Sequence, residues 1–149
     1  MSLQSKVMDA MKIAMKEKDT VALQSLRAVK SAILLAQTEA GASEELSEDQ
    51  ELKLLQKLVK QRKDSAAIFT EQGRDDLAAP ELAEAKVIAQ FLPAQLSEEE
   101  IAKIVDEIIA QTGASSMKDM GKVMGMANKA MAGRADGKTI SSLVKARLS

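Results

Sequence analysis

The chain has no histidine, cysteine, tryptophan or tyrosine, and only two phenylalanines, Phe69 and Phe91. Without histidine there is no imidazole general base, and without cysteine there is neither a thiolate nucleophile nor a disulfide. Zinc sites depend on these two residue types, so no metal is expected, and no cofactor. Acid–base chemistry would fall to Asp, Glu or Lys. Two phenylalanines do not make the stacking platforms on which unpaired bases are held, whereas recognition through shape and phosphate charge stays open. Long apolar runs are missing as well: none reaches the roughly 18 residues needed to cross a bilayer. The first segment, MSLQSKVMDAMKIAMKEKD, is amphipathic and carries acids, unlike a secretory leader or an acid-poor transit peptide. A cytoplasmic protein without membrane attachment is expected.

What the chain does have is aliphatic. Of its 149 residues 46% are hydrophobic, nine of them methionine, enough for a core built from Leu, Ile, Val, Ala and Met. Cores poor in β-branched and aromatic residues are more often helical, and helical spacing recurs throughout. Leu3, Val7, Ala10, Met11, Ala14 and Met15 predict a helix over 2–16. Asp19 or Thr20 caps a second, with Leu23, Leu26, Val29, Ile33 and Leu34 as its buried stripe and Gly41 as its stop. Ser47, followed by acids, opens the longest helix, which buries Leu52, Leu55, Leu58, Val59, Ala66 and Phe69 and stops near Gly73. Pro80 predicts a loose turn over 75–79 and a helix starting at the proline itself and running to Phe91.

Leu92-Pro93 breaks the chain, and Ser97 with Glu100 forms a capping box. The expected organisation is all-α: an N-terminal subdomain of about four helices, 1–92, and a three-helix bundle, 93–149. The bundle's first helix carries Ile101, Ile104, Val105, Ile108 and Ile109 and ends at Gly113. Ser116 with Asp119 resembles another capping box. The next helix aligns Met117, Met120, Met124, Ala127 and Met131 at core-facing spacing. Asp136-Gly137 turns into a last helix lined by Ile140, Leu143, Val144 and Leu148.

Several residues stand out against this scaffold. Gly121 and Gly125 lie four apart on one helix, and each costs helix stability. Close packing of a neighbouring helix would explain them; close approach of an RNA backbone is the alternative. Arg62 falls on the apolar side of the long helix and needs a partner, Glu84 or Glu81, to form a buried ion pair. Lys53, Lys57 and Lys60 form a row that reads as a solvated face, and Glu98, Glu99 and Glu100 complement a helix dipole. GRADGK at 133–138 lacks the Lys-Ser/Thr order of a phosphate loop. It leaves Arg134 and Lys138 near a helix start, where an anion is favoured.

Charge is segregated along the chain. The net value is −1, yet residues 115–149 hold Lys118, Lys122, Lys129, Arg134, Lys138, Lys145 and Arg147 against Asp119 and Asp136, a surplus of +5 that leaves −6 elsewhere. These seven cations are the candidate contacts for RNA phosphates.

QRKDSAAIF at 61–69, GRDDL at 73–77, FLPAQLSEEE at 91–100, GASSMKDMGKVMG at 113–125 and GRADGKTISSLVKARL at 133–148 together resemble the YqeY family over nearly the whole chain. That family is similar to the C-terminal tail of the GatB subunit of the glutamine-dependent aspartyl/glutamyl-tRNA amidotransferase. The resemblance implies two helical subdomains and a tRNA-binding or tRNA-associated role without catalytic residues, although a label of carbon–nitrogen ligase with glutamine as amido donor attaches to the family. It also implies tRNA or another structured RNA as ligand and amidotransferase or tRNA-synthetase components as partners. A protein–protein adaptor that binds no RNA is the alternative reading.

Overall fold

The computed structural model describes residues 2–39 and 45–149. All regular structure among them is helical, as the spacing of the aliphatic residues requires. The chain divides into two compact units, Met1–Leu92 and Pro93–Ser149.

The first unit holds four helices. α1 (Leu3–Glu17) starts on Ser2, whose Oγ accepts from the Ser5 N–H, and ends at Lys18 in a left-handed conformation, φ 55°. The Asp19 carboxylate then accepts from the Ala22 N–H at 3.0 Å and so caps α2 (Thr20–Glu39). α3 (Glu48–Glu71) opens with a reciprocal capping box between Ser47 and Gln50 and closes before Gly73, φ 72°. Leu3, Val7, Ala14, Leu26, Val29, Ile33, Leu55, Val59, Ala85 and Ile88 form one buried cluster. Leu34, expected in the stripe of α2, is instead 46% exposed: Ile33 takes the inward position, and Leu34 is rotated about 100° away from it. Gly41, the expected stop of α2, lies outside the described residues.

α4 (Asp75–Ala89) corrects the expected loose turn, because it runs straight through Pro80. The proline sits in the second turn and forfeits one backbone bond, to the Asp76 carbonyl. Burial of Ala78, Ala85 and Ile88 outweighs that loss. The helix start is strengthened by Asp75 and Asp76 in its first turn and by a bidentate bridge in which Arg74 Nε and Nη2 each donate to Asp76 at 3.0 Å. That bond holds the Asp76 carboxyl below the usual carboxylate range and raises Arg74 further.

The second unit packs three helices on each other. α5 (Glu98–Thr112) begins with the Ser97–Glu100 capping box and ends at Gly113, φ 66°. After a 3₁₀ turn at Met117–Asp119 come α6 (Met120–Ala130) and α7 (Gly137–Leu148). Ile101, Val105, Ile108, Val123, Ala127, Met131, Ala135, Ile140, Val144 and Leu148 form the core. Met131 is fully enclosed, but Met117 is 42% exposed on the 3₁₀ turn, so the methionine stripe is only partly internal. Ser116 makes no side-chain cap. The Asp119 carboxylate reaches back to the Ser115 N–H at 3.1 Å, so the expected capping box is replaced by the reverse contact.

Candidate nucleic-acid interface

The cations of the second unit sort by helix. Lys118 lies on the 3₁₀ turn, Lys122 and Lys129 on α6, Arg134 on the turn after it, and Lys138, Lys145 and Arg147 on α7; all are exposed. A separation of seven residues is almost two full turns, so Lys122 and Lys129 share one face of α6, as Lys138 and Lys145 share one face of α7. That α6 face is opposite Val123, Ala127 and Met131, which are buried.

Arg147 stands apart. Its Nε donates to Asp106 Oδ1 of α5 at 2.8 Å, with 44% and 53% of the two side chains still exposed. A guanidinium already engaged by a carboxylate is a poorer phosphate ligand than an unengaged ammonium. The other six cations make no ion pair with a described residue. Residues 120–135 contain no Asp or Glu, which is why no partner lies within a turn of Lys122 or Lys129. The acids of this unit concentrate on α5, with Glu98, Glu99, Glu100, Asp106 and Glu107 against Lys103 alone.

The corner formed by Arg134 and Lys138 is held by contacts that the sequence does not announce. Gln95 Nε2 donates to the Gly133 carbonyl at 2.8 Å, and the Leu96 N–H donates to the Arg134 carbonyl at 2.8 Å. These clasp the chain before α5 onto the turn after α6, with Gly133 in a left-handed conformation, φ 74°. The start of α7 does not offer bare N–H groups to an anion, contrary to expectation. The Asp136 carboxylate caps it by accepting from the Lys138 N–H at 3.4 Å, so a negative group already sits where a phosphate would go. The side chains of Arg134 and Lys138 remain outward.

The two glycines of α6 also need a correction. A Cβ built on Gly121 or on Gly125 meets no heavy atom within 4 Å, so no neighbouring helix depends on their smallness. Both are exposed.

In the first unit Arg62 Nε lies 3.5 Å from Glu84 Oε2, linking α3 to α4 with 17% and 26% of the side chains exposed. This is an ion pair by distance and not a hydrogen bond: Nε has no hydrogen-bond partner, while Nη1 donates to the Leu58 carbonyl at 3.1 Å. Glu81 is not its partner among the described ion pairs. Lys53 and Lys60 are paired within their own helix to Asp49 and Asp64, the geometry of a solvated face. Among the described residues no group of three or more potential ligand side chains could hold a metal ion, and no helix is long and apolar enough to cross a membrane.

Residues 4–148 match the family described as Yqey-like protein. Over 73 residues, 46% of this chain, the sequence is 40% identical to the GatE subunit of the glutamyl-tRNA(Gln) amidotransferase of Thermococcus gammatolerans, of which it covers 12%. Over 122 residues, 78% of this chain, it is 33% identical to the altered inheritance of mitochondria protein 41, mitochondrial, of Meyerozyma guilliermondii, of which it covers 61%. The chain thus spans less than two thirds of either relative.

Proposed function

From a chain that belongs to the Yqey-like protein family, we propose a non-catalytic, cytoplasmic module that associates with tRNA or a similarly structured RNA through the cations of its second unit. The observation that carries this reading is the set of six exposed lysine and arginine side chains from Lys118 to Lys145 that lack a carboxylate partner among the described residues. A relative named as a subunit of a tRNA-dependent amidotransferase supports it, and components of such an enzyme are the protein partners we propose. Catalysis is left to those partners because this chain has no histidine or cysteine.

The mechanism is release of condensed counterions from the phosphates, with little reading of base edges. If four to six cations engage, the logarithm of the binding constant should fall against the logarithm of salt with a slope of about −4 to −5. A filter-binding titration of unfractionated tRNA across a salt series measures that slope. Lys122→Ala with Lys129→Ala should make it shallower by about 2. No association at low salt would end the proposal.

One observation favours a second reading, a protein adaptor. Ile13 and Met15 of α1 and Leu34 and Leu35 of α2 are each between 46% and 62% exposed, an apolar surface that nothing in the described first unit covers. Purification from cells discriminates the two: with no Trp or Tyr the protein absorbs almost nothing near 280 nm, so bound RNA would dominate the spectrum.

A further inference from the structure

We propose that the outward face of α6 is the surface against which the RNA backbone rests, with Gly125 as the point of closest approach between Lys122 and Lys129. This rests on the RNA reading above and narrows it from seven cations to one helix face.

The starting point is a glycine without an internal reason. Gly125 lies in the interior of α6, where glycine weakens a helix. Its φ is not positive, so the backbone does not demand it. A Cβ there would meet nothing within 4 Å, so the packing does not demand it either. The requirement therefore comes from outside the chain.

The surroundings say which kind of body comes. At about 100° per residue, Lys122, Gly125 and Lys129 fall within about 60° of one another on the helix surface. The two lysines are separated by about 10 Å along the axis, with the glycine between them. They can thus hold phosphates on either side of a contact at which the strand touches helix backbone. The run from 120 to 135 carries Lys122, Lys129 and Arg134 and no acid, which fits a polyanion. Gly121, also open to solvent, extends the same shallow floor by one turn. Lys138 and Lys145 on α7 are then auxiliary, and Arg147 is taken up by Asp106.

The test replaces Gly125 with glutamine in the full chain, a neutral and helix-favouring side chain that the open space admits. Ala110→Gln on the exposed face of α5 is the matched control. Binding of unfractionated tRNA at low salt is measured by filter retention, and folding by thermal melting. Gly125→Gln is expected to keep or raise the melting temperature while weakening binding about tenfold or more, with Ala110→Gln unchanged. Wild-type affinity in Gly125→Gln, with loss in Lys138→Ala plus Lys145→Ala, would overturn this face while leaving RNA association standing. Equal losses in Gly125→Gln and Ala110→Gln would overturn it too. Absence of binding by the unaltered protein would remove both readings together. Binding of polyglutamate as tight as tRNA, lost with Gly125→Gln, would reassign the face to an acidic protein and overturn the RNA proposal.

Discussion

Removing the Glu84 carboxylate is an informative perturbation of the first unit, because it strands a half-enclosed guanidinium. Arg62 Nε and Glu84 Oε2 are 3.5 Å apart. At that separation the Coulomb attraction is about 5 kcal/mol for an effective dielectric of about 20, and desolvation of both groups consumes most of it. Exposed pairs are worth about 0.2–1 kcal/mol, and breaking fully buried ones costs about 3–5 kcal/mol. With 17% and 26% exposure this pair falls between them, and a double-mutant cycle should return a coupling of about 1–1.5 kcal/mol. Glu84→Ala alone should cost about 2 kcal/mol, since Arg62 Nε already lacks a hydrogen-bond partner. Arg62→Ala should cost at least as much, because its aliphatic stem leaves the seam between α3 and α4 as well. Urea unfolding followed by far-ultraviolet circular dichroism is the appropriate assay, as the chain has no tryptophan to report by fluorescence. A coupling of zero would refute the reasoning: Arg62 would then be held by its stem and its bond to the Leu58 carbonyl alone.

The helix interior and the helix start of the second unit give further expectations. Gly125→Ala should stabilise the protein by about 1 kcal/mol, and Gly121→Ala by less because it is the second residue of α6; a lower melting temperature for Gly125→Ala would reveal an internal contact at that site. Ser97→Ala removes one half of the capping box and should destabilise by about 1 kcal/mol, which an unchanged urea midpoint would contradict. The third expectation concerns acid. Because Asp76 titrates below its ordinary value when folded, its stabilisation is present above the ordinary carboxylate pKa of about 4 and is lost as pH falls through the depressed one. Asp76→Asn should therefore flatten the acid limb of the stability–pH curve and leave the neutral limb parallel to wild type. Superposed acid limbs would show that the bridge to Arg74 contributes nothing.

What was legible in the sequence was local or periodic. The capping boxes at Ser47 and Ser97 form within three residues, and the aliphatic stripes of α1, α3 and α5 follow one helical period. The misreadings share a cause, which is that distant packing decided the outcome. Pro80 obeys the local rule for a helix breaker until Ala78, Ala85 and Ile88 are buried around it. Arg147 looks like any surface cation until the fold sets it beside Asp106, 41 residues earlier. Gly121 and Gly125 suggested helix packing because the sequence cannot reveal that the space beside them is empty. Gln95 gave no signal: a glutamine between two elements is chemically ordinary, and only a carbonyl 38 residues away gives it work.

The clasp made by Gln95 and Leu96 also determines how small the second unit can be cut. A fragment beginning at Ser97 would keep all three helices and the whole aliphatic centre, yet it would lose both hydrogen bonds to the Gly133–Arg134 turn. The linker joining α6 to α7 would then be tethered only at its ends. Residues 93–96, which form no helix of their own, therefore mark the outer limit of trimming.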